Sequence, residues 1–266
     1  MPFPASVVPL GIGVAGLGRS GMYHIERLGL RDDCRVVAHY DDCPAARERA
    51  VGGAAPTHDR WDAFLANPRI ELVLLATPPG THAELAMHAL AAWKHVVVET
   101  PLGLNLAEAD AIVAAGARAE RCLCVAHRRR WDDDFRTAQE ALAGGELGRP
   151  LMLKFINWHY NVVARREASV SGSDWSSAAG QARLGPVDWR GHVQTGGGVL
   201  WEFGIHYFDQ LLLLAGRLPQ TVYGRVFPSA SGEPVDDGFL AIVAFPDQLT
   251  AHVEVHRAAA APFPAG

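Results

Sequence analysis

The chain has 266 residues, of which 49% are hydrophobic and 20% charged, a composition that supports a sizeable buried core and excludes an intrinsically disordered protein. With 24 basic and 29 acidic residues, the formal net charge is −5. The chain therefore lacks the excess positive charge by which proteins hold nucleic acid or anionic lipid, and no apolar run approaches the roughly 18 residues of a membrane span.

Short apolar runs alternate with helical patterns in the first half of the chain. The five predicted strands are 10–15, 35–40, 72–76, 95–98 and 123–126. Helical spacing is found at 81–93 and 106–117, with Thr81 and Asn105 as candidate N-caps. Strands that are apolar on both faces and separated by helices are typical of a parallel sheet covered on each side.

The pattern changes near residue 127, and we predict two domains, 1–127 and 128–266. The second contains a helix at 132–143, a strand at 151–159, a long loop at 169–198 and a helix at 199–215. Three more strands follow at 221–226, 239–245 and 250–255. Because the last two are joined by a short turn, we expect an antiparallel sheet here.

A glycine motif of the form G-x-G-x-x-G follows the first predicted strand and opens the first helix. Its glycines are Gly16, Gly18 and Gly21. In such a turn the first glycine permits the tight bend, the second admits a pyrophosphate, and the third lets the helix pack on the strand. A glycine turn without cofactor is the alternative, because this short motif also occurs by chance.

Acidic residues at the end of the second strand support the cofactor interpretation. Asp41 lies 20 residues after Gly21, where a carboxylate accepts hydrogen bonds from a ribose and repels a 2′-phosphate. Asp42 adds to that repulsion, whereas Arg19 would attract a phosphate and is more simply placed beside the pyrophosphate. We therefore predict NAD as the cofactor and NADP as the less favoured one.

Further segments occur in the order found in one protein family. They are Ala76-Thr77-Pro78 with His82, Lys94-His95-Val96, Glu99-Thr100-Pro101, and Gly196-Gly197-Gly198 with Glu202, His206 and Asp209. With the glycine turn, they make the whole chain resemble the family of glucose–fructose oxidoreductase, inositol dehydrogenase and the rhizopine-catabolism proteins (Gfo/Idh/MocA). The resemblance implies an α/β fold: an N-terminal Rossmann parallel sheet, then a C-terminal α+β domain with an open, largely antiparallel sheet.

The resemblance also implies an activity and an assembly. Members typically oxidise or reduce a hydroxyl of a sugar or cyclitol with NAD(P), and they commonly assemble through the C-terminal sheet, so we expect a homodimer or homotetramer. Besides the three glycines and Asp41, the expected cofactor contacts are Arg19, Ser20, Thr77, Pro78, His82 and Glu99. The expected substrate contacts are Thr100, Arg130 and Asp209.

The predicted 199–215 helix carries the candidate catalytic residues. Glu202 and His206 are spaced i, i+4, and His206 and Asp209 are spaced i, i+3, so all three share one face of an α-helix. His206 is the predicted base that takes a hydroxyl proton, and Glu202 would orient its ring. A polar helix face without catalytic role is one alternative, and a metal pair is another, but no third metal ligand stands out.

One departure from the family affects the chemistry. The family's Glu-Lys-Pro signature is Glu99-Thr100-Pro101 here, so the lysine that usually binds substrate and aids proton transfer is a threonine. The chain has two lysines, and Lys94 lies at the opposite end of the same predicted strand. Lys154 or one of the arginines at 128–130 is left as a source of positive charge.

The sequence thus predicts an NAD-dependent oxidoreductase acting on a sugar, cyclitol or related polyol. Two alternatives remain: an enzyme that retains NAD and catalyses a redox-neutral epimerisation or elimination, and a non-catalytic NAD-binding sensor. From the resemblance we expect a second domain that is short, or truncated at its C-terminus, compared with the family. Four cysteines and an uncharged N-terminus predict a cytoplasmic location, and Cys122 and Cys124 are predicted to be buried strand thiols rather than metal ligands.

Overall fold

The structure is a computed structural model that describes residues 8–48, 50, 55–145, 147–158, 189–229, 232 and 234–257. These residues form two compact units. The described residues up to Ala126 belong to the first unit, and those from His127 onward belong to the second. Most of the loop predicted at 169–198 lies outside the described residues.

The first unit is built on a six-stranded parallel sheet with the strand order β3-β2-β1-β4-β5-β6. Its strands are β1 (Leu10–Ala15), β2 (Cys34–Tyr40), β3 (Thr57–His58), β4 (Leu72–Leu75), β5 (His95–Val98) and β6 (Leu123–Val125). Its helices are α1 (Arg19–Leu28), α2 (Pro44–Glu48), α3 (Trp61–Leu65), α4 (His82–Ala91) and α5 (Leu106–Ala119). This is the strand order of a Rossmann fold, in which ligands bind at the carboxyl ends of the strands where the order reverses.

The central strands are buried on both faces, which confirms the predicted parallel sheet. Val14 in β1, Val73 in β4 and Val96 in β5 have no exposed surface. Leu90 of α4 and Ile112 of α5 pack into the same core as β4 and β5. Because helices cover these strands on each side, a run of consecutive apolar residues is the pattern that fits.

Three short elements were not predicted: β3, α2 and α3. Each has five residues or fewer, too few positions for a hydrophobic period to be recognised. Aromatic contacts stabilise α3. Within the helix Trp61 stacks on Phe64 at a ring-centroid distance of 5.2 Å, and Trp61 also meets Tyr40 of β2 edge-on at 5.1 Å.

The two predicted helix caps have different outcomes. Asn105 caps α5, because its side-chain oxygen accepts a hydrogen bond from the backbone N–H of Glu108 at 2.9 Å. The prediction for Thr81 was wrong. Its hydroxyl lies 2.8 Å from the carbonyl oxygen of Pro78 and 2.8 Å from the hydroxyl of Thr77, so it stabilises the preceding turn instead.

The predicted burial of Cys122 and Cys124 was also wrong, since both thiols are exposed. Strand β6 stands at the edge of the sheet. The alternating apolar pattern there identified a strand correctly, but the pattern does not show whether an edge strand is covered.

The second unit contains a separate four-stranded sheet with the order β7-β10-β9-β8. Its elements are α6 (Asp133–Ala143), β7 (Met152–Trp158), α7 (Ile205–Ala215), β8 (Thr221–Pro228), β9 (Asp236–Ala244) and β10 (Thr250–His256). The pairs β8–β9 and β9–β10 are antiparallel, whereas β7 runs parallel to β10. The sheet is therefore mixed, with two antiparallel pairs of three, and the predicted α/β fold class is confirmed.

One face of this sheet packs on α7 and forms the core of the second unit. Leu211 and Ala215 of α7 contact a cluster that includes Phe239, Val243 and Val253. The opposite face is open, and Ile242 on it is 43% exposed. None of the described helices is long and apolar enough to cross a membrane.

The helix predicted at 199–215 is regular only in its second part. Leu200–Gly204 form a π-helical turn, and α7 begins at Ile205. A π turn contains more residues than an α turn, so residues on either side of it lose the face relationship that α-helical spacing predicts.

We expect His39 to make the protein less stable in acid. Its side chain in β2 is 4% exposed, neither ring nitrogen has a hydrogen-bond partner among the described residues, and burial lowers its pKa. As the pH falls below about 6.5, His39 therefore binds a proton in the unfolded chain but stays neutral in the folded chain. The free energy of unfolding is therefore unaffected by His39 above about pH 6.5, and below that pH it falls by at most about 1.4 kcal/mol per pH unit.

Urea unfolding of wild type and His39→Leu between pH 7 and pH 5 measures this effect. The variant should lose less stability on acidification, while His82 and His127, whose pKa values burial also lowers, leave part of the slope in place. Equal pH slopes for the two proteins would show that His39 does not titrate in this way.

Candidate functional site

The glycine turn after β1 has the close contacts that the motif requires. Gly16 has φ +90°, and a Cβ on it would lie 2.5 Å from the carbonyl oxygen of Ala76. A Cβ on Gly21 would lie 1.7 Å from the carbonyl oxygen of Gly16. Only glycine fits at these two positions, and the contacts bring the start of α1 against the carboxyl end of β1.

Gly18 occupies a different environment, because a Cβ added there would meet no atom within 4 Å. The position is open next to the N-terminus of α1, where the first backbone N–H groups of a helix have no acceptor within the helix. An open backbone at a helix N-terminus is the arrangement that receives a phosphate. The residues present thus fit a dinucleotide pyrophosphate, with Arg19 and Ser20 in the first turn of α1.

Asp41 joins the glycine turn to the segment that follows β2. Its carboxylate accepts hydrogen bonds from the backbone N–H of Leu17 at 2.7 Å and of Cys43 at 2.9 Å. Arg47 donates to the backbone carbonyl oxygens of Asp41 and Asp42 at 2.9 and 2.8 Å. The predicted ribose-binding carboxylate therefore stands at the glycine turn, and each oxygen retains lone pairs for a further donor.

His82 is placed below the loops rather than on their surface. Its side chain has no exposed area, and its ring nitrogens lie 2.8 Å from the carbonyl oxygen of Pro101 and 2.9 Å from that of Thr77. Burial lowers the pKa of His82 and outweighs the two carbonyl contacts, which raise it. His82 thus ties the loop after β4, with Thr77 and Pro78, to the loop after β5.

Glu99 has a partner that the sequence did not indicate. Its Oε1 lies 2.6 Å from Nε2 of His24 on α1, and its Oε2 accepts a longer contact, 3.4 Å, from the backbone N–H of Thr100. His24 lies one turn after Gly21, so the helix that begins at the glycine turn is tied to the carboxyl end of β5. Thr100 itself is partly buried.

In the second unit a cluster of charged and ionisable side chains surrounds the start of α7. Asp209 binds Arg130 through two hydrogen bonds, Nε to Oδ2 at 2.7 Å and Nη2 to Oδ1 at 2.5 Å. Nδ1 of His127 lies 3.6 Å from Oδ2 of the same carboxylate. The ring of His206, 8% exposed, meets the ring of His127 edge-on at a centroid distance of 6.2 Å.

Three of the predicted residues, His206, Asp209 and Arg130, thus lie in one cluster. His127 completes the group but was missed by the sequence analysis. It stands one residue after the apolar run of β6 and directly before three arginines, and that position at a strand end was the available signal. Burial lowers the pKa of His127, the Asp209 carboxylate raises it, and Arg130 lowers it, with a net decrease.

Glu202 is held by arginines. Its Oε1 lies 3.5 Å from Nε of Arg190, and its Oε2 accepts a short hydrogen bond from Arg257. Burial raises the pKa of Glu202, but the two guanidinium groups outweigh burial and keep that pKa below its ordinary value. The proposed pairing of Glu202 with His206 assumed a regular α-helix, whereas a π turn contains Glu202, and that pairing stays a prediction.

Asp236 anchors the segment that leads into this helix. Its Oδ2 accepts a hydrogen bond from the backbone N–H of Leu200 at 2.8 Å. Gly198, with φ +103°, leaves room for it, since a Cβ there would lie 2.2 Å from Oδ1 of Asp236. Among the residues described by the structure, no group of three or more His, Cys, Asp and Glu side chains is placed to hold a metal ion.

Comparison with known proteins agrees with this geometry. The sequence profile described as an oxidoreductase family with an NAD-binding Rossmann fold matches residues 10–127, and that of the GFO/IDH/MocA C-terminal domain matches residues 135–264. The myo-inositol 2-dehydrogenase of Thermotoga maritima is 28% identical over 80% of this chain and 57% of its own length. The scyllo-inositol 2-dehydrogenase (NADP(+)) IolW of Bacillus subtilis is 29% identical over 86% of this chain and 58% of its own.

A solved structure extends the similarity to the fold. An NAD-binding protein from Listeria innocua superposes with a TM-score of 0.83 at 29% identity, covering 97% of this chain and 69% of that one. The chain spans somewhat more than half the length of the two inositol dehydrogenases named above. On the two profile matches and on the Rossmann geometry of its glycine turn, the chain belongs to the Gfo/Idh/MocA family of oxidoreductases, whose N-terminal domain is an NAD-binding Rossmann fold.

Proposed function

We propose that the protein transfers hydride between NAD and a hydroxyl-bearing carbon of a sugar, cyclitol or related polyol. The observation that carries the proposal is the cluster of His206, Asp209, Arg130 and His127 in a chain that also has a dinucleotide-binding glycine turn. Similarity to enzymes named inositol dehydrogenases supports the substrate class.

We propose NAD rather than NADP on the position of Asp41. Its carboxylate lies against the glycine turn at the carboxyl end of β2, where it would accept from ribose hydroxyls and repel a 2′-phosphate. The nearby guanidinium of Arg47 is engaged by two backbone carbonyls. A similar protein is named as NADP-dependent, so the choice depends on this local chemistry rather than on the family.

In the proposed reaction His206 takes the proton of the substrate hydroxyl, or returns it in the reverse direction. When bound, the nicotinamide ring accepts or supplies the hydride. Asp209 fixes Arg130 through its two hydrogen bonds, so that pair would orient substrate oxygens, and the hydroxyl of Thr100 would donate or accept one more hydrogen bond.

The remaining predicted residues hold the cofactor or support the site. Gly16, Gly18, Gly21, Arg19 and Ser20 would receive the pyrophosphate. Thr77, Pro78 and Glu99 would line the nicotinamide end, with His82 holding their loops from below. Glu202 would keep Arg190 and Arg257 in place as well as orient His206.

Thr100 motivates a second candidate function. A threonine in place of the family lysine removes a charged, proton-carrying group, which would suit an enzyme that retains NAD through an epimerisation or elimination, or a sensor that binds NAD without turnover. NAD that copurifies and is never consumed would favour the first. Tight NAD binding with no response to any polyol would favour the second.

We also propose that the protein is a homodimer or homotetramer through the open face of the C-terminal sheet. That face carries exposed apolar side chains on three of its strands: Met152, Ile156, Trp158, Tyr223 and Ile242. Apolar area of this kind on a sheet marks an interaction surface. The cytoplasmic location stays a prediction.

Replacing His206 tests the proposed base. Purified protein is mixed with NAD and a panel of sugars and cyclitols, and NADH absorbance is followed to find a substrate. His206→Ala should then lower kcat about 10²-fold to 10⁴-fold, as loss of a general base does. His252→Ala is the matched control, because His252 is on a strand of the same unit with its own carboxylate partner, Glu254, at 3.2 Å. Undiminished turnover by His206→Ala would remove His206 as the base.

Replacing Gly18 tests the cofactor site without disturbing the fold. Gly18→Ala adds a Cβ in open space at φ −70°, which alanine adopts, so stability should be unchanged while NAD affinity falls at least about tenfold. Gly29→Ala, at the other end of α1 with ordinary contacts at 3.4 Å, should bind NAD as wild type does. Isothermal titration calorimetry measures both, and unchanged affinity in Gly18→Ala would place the pyrophosphate elsewhere.

Changing Thr100 separates a working site from a degenerate one. If Thr100 contributes a substrate hydrogen bond, Thr100→Lys should lower kcat/KM at least about tenfold, whereas Thr100→Ser keeps the hydroxyl and most of the activity. The same substrate panel and absorbance assay measure both variants. New or increased dehydrogenase activity in Thr100→Lys would instead support the non-catalytic alternative.

A further inference from the structure

Two imidazole rings lie side by side at the start of α7. The centroids of His127 and His206 are 6.2 Å apart, and the ring planes are nearly perpendicular at 89°. His206 is 8% exposed and the side chain of His127 is 15% exposed, so both rings are largely shielded from water. Both belong to the same compact unit.

Charged groups face this histidine pair from two elements. From α7, Asp209 approaches Nδ1 of His127 at 3.6 Å. From the turn Arg128–Trp131, Arg130 binds Asp209, and the carbonyl of Arg129 accepts a hydrogen bond from Gln210 at 2.8 Å, which holds the turn on α7.

These surroundings favour one proton on the pair rather than two. Asp209 is already neutralised by Arg130, so it offers little attraction for a second positive charge. Two unit charges 6.2 Å apart, at an effective dielectric constant of about 20, displace each other's titration by about two pH units. At this separation we expect the two rings to titrate as a coupled pair rather than independently.

We propose that His127 is a positioning residue for His206 and that the protonation state of one ring controls the proton affinity of the other. Because Thr100 cannot ionise near neutral pH, the histidine pair supplies the ionisable group that the family lysine would otherwise provide. When His206 takes the hydroxyl proton, a neutral His127 and the Asp209 carboxylate beyond it accommodate the new charge. When His127 already carries a proton, His206 is a poorer base. The inference extends the proposed role of His206, but the coupling itself does not depend on turnover.

The coupling is measured by following the ring C–H signals of both histidines by NMR across pH 4 to 9, with His127→Phe and His206→Phe to assign them. In wild type each signal should show two inflections. In His127→Phe the His206 signal should show a single inflection. In His206→Phe the His127 signal should also show a single inflection, about two pH units above the lower of its two wild-type inflections. His252→Phe, on a strand and paired with Glu254, is the matched control and should change neither signal.

Activity provides a second reading on the substrate found for the wild type. The acid side of the pH profile of kcat/KM should change shape in His127→Phe, which keeps an aromatic ring. His127→Gln, which keeps a polar group, should show the same change and serves as the second variant if His127→Phe folds poorly. A residue that only packs would leave the shape of the profile unchanged when Phe replaces it.

The outcomes distinguish the inference from the proposed function. Single, superimposable titrations of His206 in wild type, His127→Phe and His127→Gln would overturn the inference and leave the dehydrogenase proposal intact. Coupled titrations in a protein that turns over none of the substrates would support the inference and count against the proposed function.

Discussion

The contact between the start of α1 and the end of β1 is the constraint on which the first unit depends. A side chain on Gly21 would collide with the carbonyl oxygen of Gly16, and one on Gly16 would collide with the backbone of Ala76. With both glycines in place, the turn is close enough for Asp41 to accept from Leu17. Between these two closely packed glycines, Gly18 is left open, with no atom within 4 Å of a Cβ placed there.

In the second unit, shared carboxylates hold the groups around the start of α7. Asp209 binds Arg130 and lies beside His127. Glu202 pairs with Arg190 and Arg257. Asp236 accepts a hydrogen bond from the backbone N–H at the start of the π turn. A buried charge is costly unless it is paired, so each carboxylate fixes the position of its partners. The result is a helix start at which the ionisable groups are held by one another.

Prediction from sequence was most successful where the signal was local. Two strands of the first sheet, β1 and β5, have the bounds that their apolar runs indicated, and the cap on α5 was readable from Asn105. It was less successful where a pattern did not determine the environment. The thiols of Cys122 and Cys124 are exposed because β6 is an edge strand, and the face shared by Glu202 and His206 is interrupted by a π turn.

The sequence by itself determined the family, the Rossmann half and the residue types of the site. Short motifs and hydrophobic periods are local, so they can be recognised without knowing which residues are neighbours in the folded chain. Only the tertiary structure decided the partners. His24 reaches Glu99 across 75 positions, Arg130 reaches Asp209 across 79, and His127 meets His206. Such pairs depend on how the chain folds back on itself. The pKa of His127 depends on how deeply its ring is buried, and the spacing of residues along the sequence does not reveal burial.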